Sequence, residues 1–379
     1  MSINKFIPVG SLVNSCLIGA NAYRVISDEA EFAGSPLEEM LDEIRQRPGY
    51  HYMRACTALD KTELWMVPFP STPERLLTLQ DAMELVQGKW LGTPGFHFPF
   101  DVVEEETDNP YVPAYKDPEQ EETAVYRNNV KGAAASTAYL IHPYTRGMTK
   151  PFRAYMPNAN CARWTMAENL FSRVAELHNM GLSSNGISRA QLRVNERTWD
   201  VEFWPNHTLR TLDAPGPDMY HEGFGTVPIT TARTCREKGY PISCVQRDIF
   251  SCAVWAFYLI MYTHPFVGSS FAPLSRDEYL PHYFHAPSYI MDPEGSNHLS
   301  NQLFDREVEN QWEKTVPQLK ELFNGLFLAI SHPETKWKTD APWWSIRNWL
   351  DALAADAAAN DNATSRSTYK FNNYLYHLA

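Results

Sequence analysis

The sequence predicts an α+β protein in two parts, a smaller strand-rich N-terminal part and a larger helical C-terminal part. Three observations carry this. Short apolar runs alternate with Pro/Gly turns over residues 5–70, the pattern becomes helical after Tyr139, and Cys252 to Tyr262 is one continuous apolar run within a helix expected from Gln246 to Tyr262. A chain of 379 residues with 44% hydrophobic content can bury a large core and fits two domains or one two-lobed unit.

Composition removes several functional classes. The 33 Lys and Arg residues face 45 Asp and Glu, a formal charge of −12, and no basic block stands out, so phosphate backbones have no electrostatic footprint here. The 13% aromatic content with 11 Trp is more apolar mass than a disordered chain carries. Six cysteines, Cys16, Cys56, Cys161, Cys235, Cys244 and Cys252, form no CxxC pair and read as reduced thiols. The opening MSINKFIPVG has neither an apolar core nor an Arg-rich face, so the expected location is cytoplasmic.

Taken in order, CLIGANAYRVI and ELWMVPF read as strands set between the turn-like GSP, RPGY and PFPSTP. Pro73 to Val86 reads as a helix with Leu76, Leu77, Met83 and Val86 at helical spacing. Asp101 to Thr123 has nine acidic residues and one Lys, and is expected to be a solvated, mobile insertion reaching to about residue 137. Cys161 to Asn179 places Trp164, Ala167, Leu170, Phe171, Val174 and Leu177 on one stripe, with Gly181 as its stop. Strands are expected at Gln191 to Val194 and Trp199 to Phe203, and then an irregular Pro/Gly-rich stretch from Pro205 to Pro241. Cys252 to Tyr262 is apolar all round but about half the roughly 20 residues a membrane crossing needs, so Gln246 to Tyr262 reads as a helix buried in the protein. Helices at Val316 to Ser331 and Trp344 to Ala359 close the fold. The expected division is 1–139, 140–353 and a C-terminal tail at 354–379, of which the Asn/Ser-rich part from Asn360 to Ala379 is expected to be loosely attached.

One ordered constellation is specific. Leu177-His178-Asn179-Met180-Gly181-Leu182 ends a long helix, and two short strands and Gly225-Thr226 follow. Asp248-Ile249-Phe250-Ser251 then opens the buried helix, which ends at Thr263-His264-Pro265-Phe266. Together with Val316-Pro317-Gln318-Leu319 and Trp349-Leu350-Asp351-Ala352-Leu353, this resembles the C-terminal lobe of a protein kinase, in particular the compact bacterial eukaryotic-like Ser/Thr kinases. Gly19 to Val25 is similar to the glycine-rich loop, Phe98 to Val103 to the strand after the regulatory helix, and Tyr139 to Pro143 to the strand entering the hinge. The resemblance covers about residues 10 to 353. It implies a two-lobed kinase-like fold in which Asp248 anchors the catalytic-loop backbone.

Phosphoryl transfer needs a Lys on the phosphates, metal held by an Asp and an Asn, and an Asp to accept the substrate proton. At the positions the resemblance assigns to these roles the sequence has other residues. The catalytic loop falls on Ser184, Asn185, Gly186 and Gln191. Gly186 has no side chain to act as a base, and Gln191 carries its amide on a longer arm than a metal ligand requires. Glu202-Phe203-Trp204 stands for the metal-binding Asp-Phe-Gly, and Glu202 would hold a metal only if nucleotide binding is retained. The phosphate Lys falls on Val67 within Leu64 to Phe69, on the third strand, with Lys61 and Lys89 as substitutes nearby in sequence. The acid of the activation segment falls on Arg233, and its Arg partner on Trp343, so both halves of one ion pair are replaced together.

Competing motifs are weaker. His282 and His285 have the spacing of metal ligands, but Pro281, Tyr283 and Phe284 around them point to an interaction loop. Gly181 to Gly186 is one residue too long for a hydrolase elbow, and Asn206 opens a glycosylation sequon by letter only. The expected function is that of a pseudokinase: no catalysis, no cofactor, no membrane or nucleic-acid partner, and another protein bound through Pro205 to Pro241, Phe271 to Leu303 or the acidic insertion. Two alternatives stay open, a phosphoryl- or nucleotidyl-transferase with rearranged residues and a structural subunit of a larger assembly.

Overall fold

The computed structural model describes residues 12–14, 22–27, 53–57, 62–71, 73–89, 92–106, 136–143, 150–151, 161–188, 191–195, 197–205, 208–214, 224–299 and 303–361. Gly19, Ala20, Lys61, the acidic segment beyond Glu106 and the tail beyond Asp361 lie outside them.

The described elements are β1 (Leu12–Asn14), β2 (Ala22–Ser27), β3 (Met53–Thr57), β4 (Glu63–Ser71), α1 (Pro73–Lys89), β5 (Asp101–Glu106), β6 (Ser136–Pro143), β7 (Lys150–Pro151), α2 (Cys161–Asn179) and β8 (Leu182–Ser183). They continue with β9 (Leu192–Asn195), β10 (Asp200–Phe203), β11 (Arg210–Thr211), α3 (Ile229–Glu237), α4 (Cys244–Met261), α5 (Arg276–His285), α6 (Leu303–Lys314), α7 (Pro317–Ser331), α8 (Pro333–Lys336) and α9 (Ile346–Asp361). The protein is mixed α+β. Its chain divides into two compact units, Met1–Met148 with Phe203–Ala214, and Thr149–Glu202 with Pro215–Ala379. Tyr139, where the sequence changes texture, lies in the middle of β6, and the first unit runs on to Met148.

In the first unit one antiparallel sheet runs in the order β1-β2-β3-β4-β6-β5. The segment expected as the third strand is the fourth, because Met53–Thr57 pairs between β2 and β4. The two edges of the sheet approach each other, so the sheet curls. Across that closure the buried Tyr23 hydroxyl donates to Asp101, whose other oxygen takes the Val102 amide at 2.8 Å. Asp101 therefore does not open a solvated insertion. It is wholly buried, and Asp101–Glu106 is a strand paired with β6 in the register Asp101↔Ile141 to Glu106↔Ser136. On α1 the buried series is Leu79, Ala82, Met83 and Val86, whereas Leu77, placed on the stripe by spacing, is 63% exposed.

The second unit is built around α4. A capping box starts it: the Ser243 hydroxyl accepts from the Gln246 amide at 3.2 Å and the Gln246 side chain accepts from the Ser243 amide at 3.0 Å. Every residue from Arg247 to Met261 is buried, and Tyr262 ends the helix in the left-handed conformation at φ 61°. Among the described residues α4 is the helix long and apolar enough to cross a membrane, yet 83% of it is buried inside the protein. Phe257 is ringed by Phe323 at 5.1 Å and Phe327 at 5.6 Å, both edge-on, the arrangement aromatic rings favour. All six stripe residues expected on α2 are buried, and Gly181 closes that helix at φ 79°. Asp356 of α9 takes the Trp164 indole of α2 and the Val316 amide before α7, each at 2.7 Å, and so docks the closing helix.

Four helices go beyond the sequence reading, the one-turn α8 and three longer ones. The stretch from Pro205 to Pro241 contains α3, whose buried face is Ile229, Thr231, Ala232 and Cys235, too polar a set to signal a stripe. Arg276–His285 is a helix with Pro281 inside it, so His282 and His285 sit on helix α5 and not on a loop. Helix α6 buries Val308 amid a largely charged surface. Cys235, Cys244 and Cys252 are free thiols.

Gly325 illustrates how tightly the closing helices fit. A Cβ there would lie 2.4 Å from the Trp343 ring. Gly325→Ala, which in an open helix would gain about 0.5–1 kcal/mol, is therefore expected to destabilise the protein by about 1 kcal/mol or more through overpacking, read as a lower urea midpoint. His264 gives a second prediction. Its Nε2–H donates to Phe224 O at 2.8 Å and its Nδ1 accepts from the Phe266 amide at 3.2 Å, which fixes a neutral ring. Burial pushes its pKa down to about 4. The folded state then binds fewer protons than the unfolded chain between about pH 4 and 6.5, so stability is lost as pH falls through that window, by on the order of 3 kcal/mol in all. Urea midpoints measured from pH 7.5 to 4.5 should fall less steeply for His264→Gln than for the parent.

Candidate functional site

The candidate site lies in the second unit, where the loop after α2 meets the first turns of α4. Asp248, Ser251 and Trp255 fall at i, i+3 and i+7 and so share one face of α4. The Asp248 carboxylate is wholly buried and gathers four contacts. Its Oδ2 accepts from the Ser183 hydroxyl at 2.7 Å and the Ser184 amide at 3.1 Å and faces His178 Nε2 at 3.0 Å, while Oδ1 takes the Gly186 amide at 2.8 Å. A carboxylate only accepts, so His178 presents Nε2–H to it. One turn on, the Ser251 hydroxyl accepts from the Ile187 amide at 2.9 Å and donates to Gly225 O at 2.6 Å. Trp255 Nε1 completes the series by donating to Ile187 O at 2.9 Å.

These contacts dictate two glycines. A Cβ on Gly225 would lie 2.6 Å from Ile187 O and 2.7 Å from the Trp255 ring, so the close passage of these chains requires glycine. Gly186 sits at φ 105°, a conformation that residues with a side chain rarely adopt. Asn185 before it is also left-handed, at φ 58°; its backbone N–H donates to the Ser183 hydroxyl at 2.9 Å, while its buried side-chain carboxamide has no hydrogen-bond partner among the described residues.

Of the positions singled out in the sequence, Ser184, Gly186 and Gln191 are brought together here. Gln191 is 1% exposed, and both ends of its amide are engaged: Oε1 accepts from the Ser188 amide at 2.7 Å and Nε2 donates to the Ser184 hydroxyl at 2.6 Å. Glu202 is a half-buried residue of β10, and Arg233 a half-buried residue of α3. Val67 lies in β4 of the first unit, opposite Leu140. Lys89 is exposed at the end of α1. Trp343 packs its ring against Gly325.

The residues after Glu202 are pinned within the first unit. The Phe203 amide donates to Gly95 O at 2.8 Å, and Phe203 O accepts from the His97 amide at 2.9 Å. The buried Trp204 ring lies on the His97 ring at 4.6 Å and faces the His142 ring at 6.0 Å. Burial pushes His142 down to about 4, leaving it neutral at pH 7. A segment tied on both sides of one residue and followed by a packed indole has little freedom to switch.

The rival chemistries find little support. His282 Nε2 lies 3.2 Å from the Ser270 hydroxyl, but that hydroxyl donates to Asn297 Oδ1 at 2.9 Å, so its proton points away from the imidazole that would have to remove it. Among the described residues no three His, Cys, Asp or Glu side chains gather as a metal site. His178, Ser251 and Trp255 escaped the sequence reading as site residues. The signal was present as Asp-x-x-Ser-x-x-x-Trp along one helical face, but an apolar helix draws the eye to burial before hydrogen bonding.

Replacing Gly186 by Asp tests the loop. The substitution puts a carboxylate where the kinase resemblance expects one, but onto a backbone at φ 105°. Gly186→Asp is expected to cost about 1–3 kcal/mol in urea unfolding and to confer no phosphoryl transfer; unchanged stability with new transfer activity would contradict the geometry. No family model matches this chain, and no curated protein matches it.

Proposed function

We propose that this chain is a two-lobed, protein-kinase-like protein that has lost phosphoryl-transfer chemistry and acts by binding another protein. The observation that carries the reading is how the loop from Leu182 to Gln191 uses its polar groups. Asp248 takes the backbone amides of Ser184 and Gly186, the anchoring role the kinase resemblance assigns to it. The side chains at the catalytic positions are absent at Gly186 or turned inward at Gln191. Such a loop keeps a shape and offers no base.

The element order supports the same reading. A helix, α1, stands between β4 and β5, as a regulatory helix would, and α2 with Leu177-His178 leads into the anchored loop. Val67 at the position of the phosphate Lys supplies no charge, and Gln191 is committed to its own loop, so these two positions offer neither the cation nor the ligand that a Mg-nucleotide needs. A protein partner is favoured by the acidic composition, which disfavours nucleic acid, and by the burial of the apolar α4, which leaves no described helix to enter a lipid bilayer. A cytoplasmic location belongs to the same proposal.

The test is direct. In a thermal-shift titration with Mg-ATP or Mn-ATP, a nucleotide at a hundredfold excess over its Kd would add about 2.7 kcal/mol of stability. The proposal expects no saturable shift and no phosphate incorporated into the chain or into a generic protein substrate. Transfer that disappears in Glu202→Ala would replace this reading with that of a divergent transferase.

A further inference from the structure

Asn-Gly occurs twice in the chain, at Asn185-Gly186 and Asn324-Gly325. This dipeptide carries its own reaction. The glycine amide nitrogen can attack Cγ of the asparagine side chain: the N–Cγ bond closes a succinimide ring, the Cγ–NH2 bond breaks, and ammonia leaves with the amide proton. Water then opens the ring at either carbonyl, giving aspartate or, with the main chain rerouted through Cγ, isoaspartate. Glycine favours ring closure because no Cβ hinders the rotation that brings its nitrogen round. Asn324-Gly325 lies inside α7, where the helical backbone fixes that nitrogen. Asn185-Gly186 lies in the loop after β8, where side-chain acceptors fix it instead.

Two features keep the pair unreacted while the loop is anchored. The nucleophilic Gly186 amide donates to Asp248 Oδ1 at 2.8 Å, and the Asn185 amide donates to the Ser183 hydroxyl at 2.9 Å. The peptides on both sides of Asn185 are thereby fixed, and the rotation that ring closure needs is blocked. Asn185 is also 2% exposed, which keeps out the water of the second step. The same residue favours opening. Its carboxamide is buried with no hydrogen-bond partner among the described residues, and φ 58° is costly for a residue with a side chain, so release into water relieves both.

We propose that Asn185-Gly186 is a latent modification site: the Asp248 anchor protects it, opening of the loop commits it to deamidation, and the loop then does not close again. The products give the change its direction. A carboxylate at position 185 would be a buried charge without a donor, set between two amides that already serve the buried Asp248 carboxylate. Isoaspartate adds one carbon to the main chain between the Ser184 and Gly186 amides, which now reach a single carboxylate at 3.1 and 2.8 Å. A reversible opening thus becomes a permanent one. None of this depends on the kinase-like reading, since it uses the reactivity of the dipeptide and the measured ties alone.

The experiment incubates the full chain at mildly alkaline pH, folded and in denaturing urea, and follows conversion of Asn185 by peptide mass and isoaspartate content. Because reaction passes through the open loop, conversion is expected to be slower in the folded chain by about tenfold or more. Ser183→Ala, which loosens both ties, should speed conversion in the folded chain by about fivefold, and Asp248→Asn by more. The Ser183 variant keeps the test valid if Asp248→Asn fails to fold. Asn185→Asp, which supplies one product directly, is expected to unfold at a lower urea midpoint than the parent. Conversion as fast in the folded chain as in urea, conversion unchanged or slowed in either loosened variant, or a parent-like midpoint for Asn185→Asp would each overturn the proposal.

Discussion

Asp248 is wholly buried, and its carboxylate is the point to which the second unit's central loop is tied. A buried carboxylate is tolerated only when donors surround it, and here the donors come from the end of α2 and from Ser183, Ser184 and Gly186. The dependence runs both ways. The loop amides, cut off from water, need an acceptor as much as the acid needs donors. Neither can be withdrawn alone without stranding the other, which is why a single residue on a helix sets the path of several residues outside it.

The same helix extends this control along its length. Ser251 and Trp255 repeat what Asp248 does, each holding Ile187 through one backbone atom, and Ser251 adds the carbonyl of Gly225. Three residues on one face thus set the course of two separate chain segments. The cost is steric: segments drawn this close leave no space for a Cβ at Gly225. The aromatic core on the other side of α4, around Phe257 and Phe327, fixes the helix itself, so the loop inherits its rigidity from hydrophobic packing through hydrogen bonds.

How much of this was legible in the sequence follows from what each element needs. The helices α2 and α4 were readable because a long apolar stripe or a continuous apolar run has no competing interpretation, and both fall within two residues of the expected bounds. Helices α3, α5 and α6 were not, because Thr, Cys and Ala serve as core in the first, Pro281 interrupts the second and charge masks the third. Asp101 misled for another reason. Its buried partner, Tyr23, is 78 residues away, and no local pattern distinguishes an acid that closes a sheet from the first acid of a charged run. In the candidate site, Asp248 and the loop positions were found by their order in the chain, while Gln191's inward turn depends on Ser184 and Ser188 and had to be seen in three dimensions.

On the proposed reading, the contrast between what is kept and what is changed has a physical basis. Asp248 holds the loop through backbone amides, and an amide is donated by any residue other than proline, so the anchor does not depend on the side chains it passes. Catalytic side chains at Gly186 and Gln191 can therefore be exchanged without loosening the loop. On this reading Gln191 even adds to it, bridging Ser184 and Ser188 through a carboxamide whose oxygen is already taken by the Ser188 amide. An ion pair would be different, because each partner answers to the other, and on this reading Arg233 and Trp343 stand in for both halves of one together. A fold anchored by its backbone can lose its chemistry and keep its shape, and shape is what a binding protein requires.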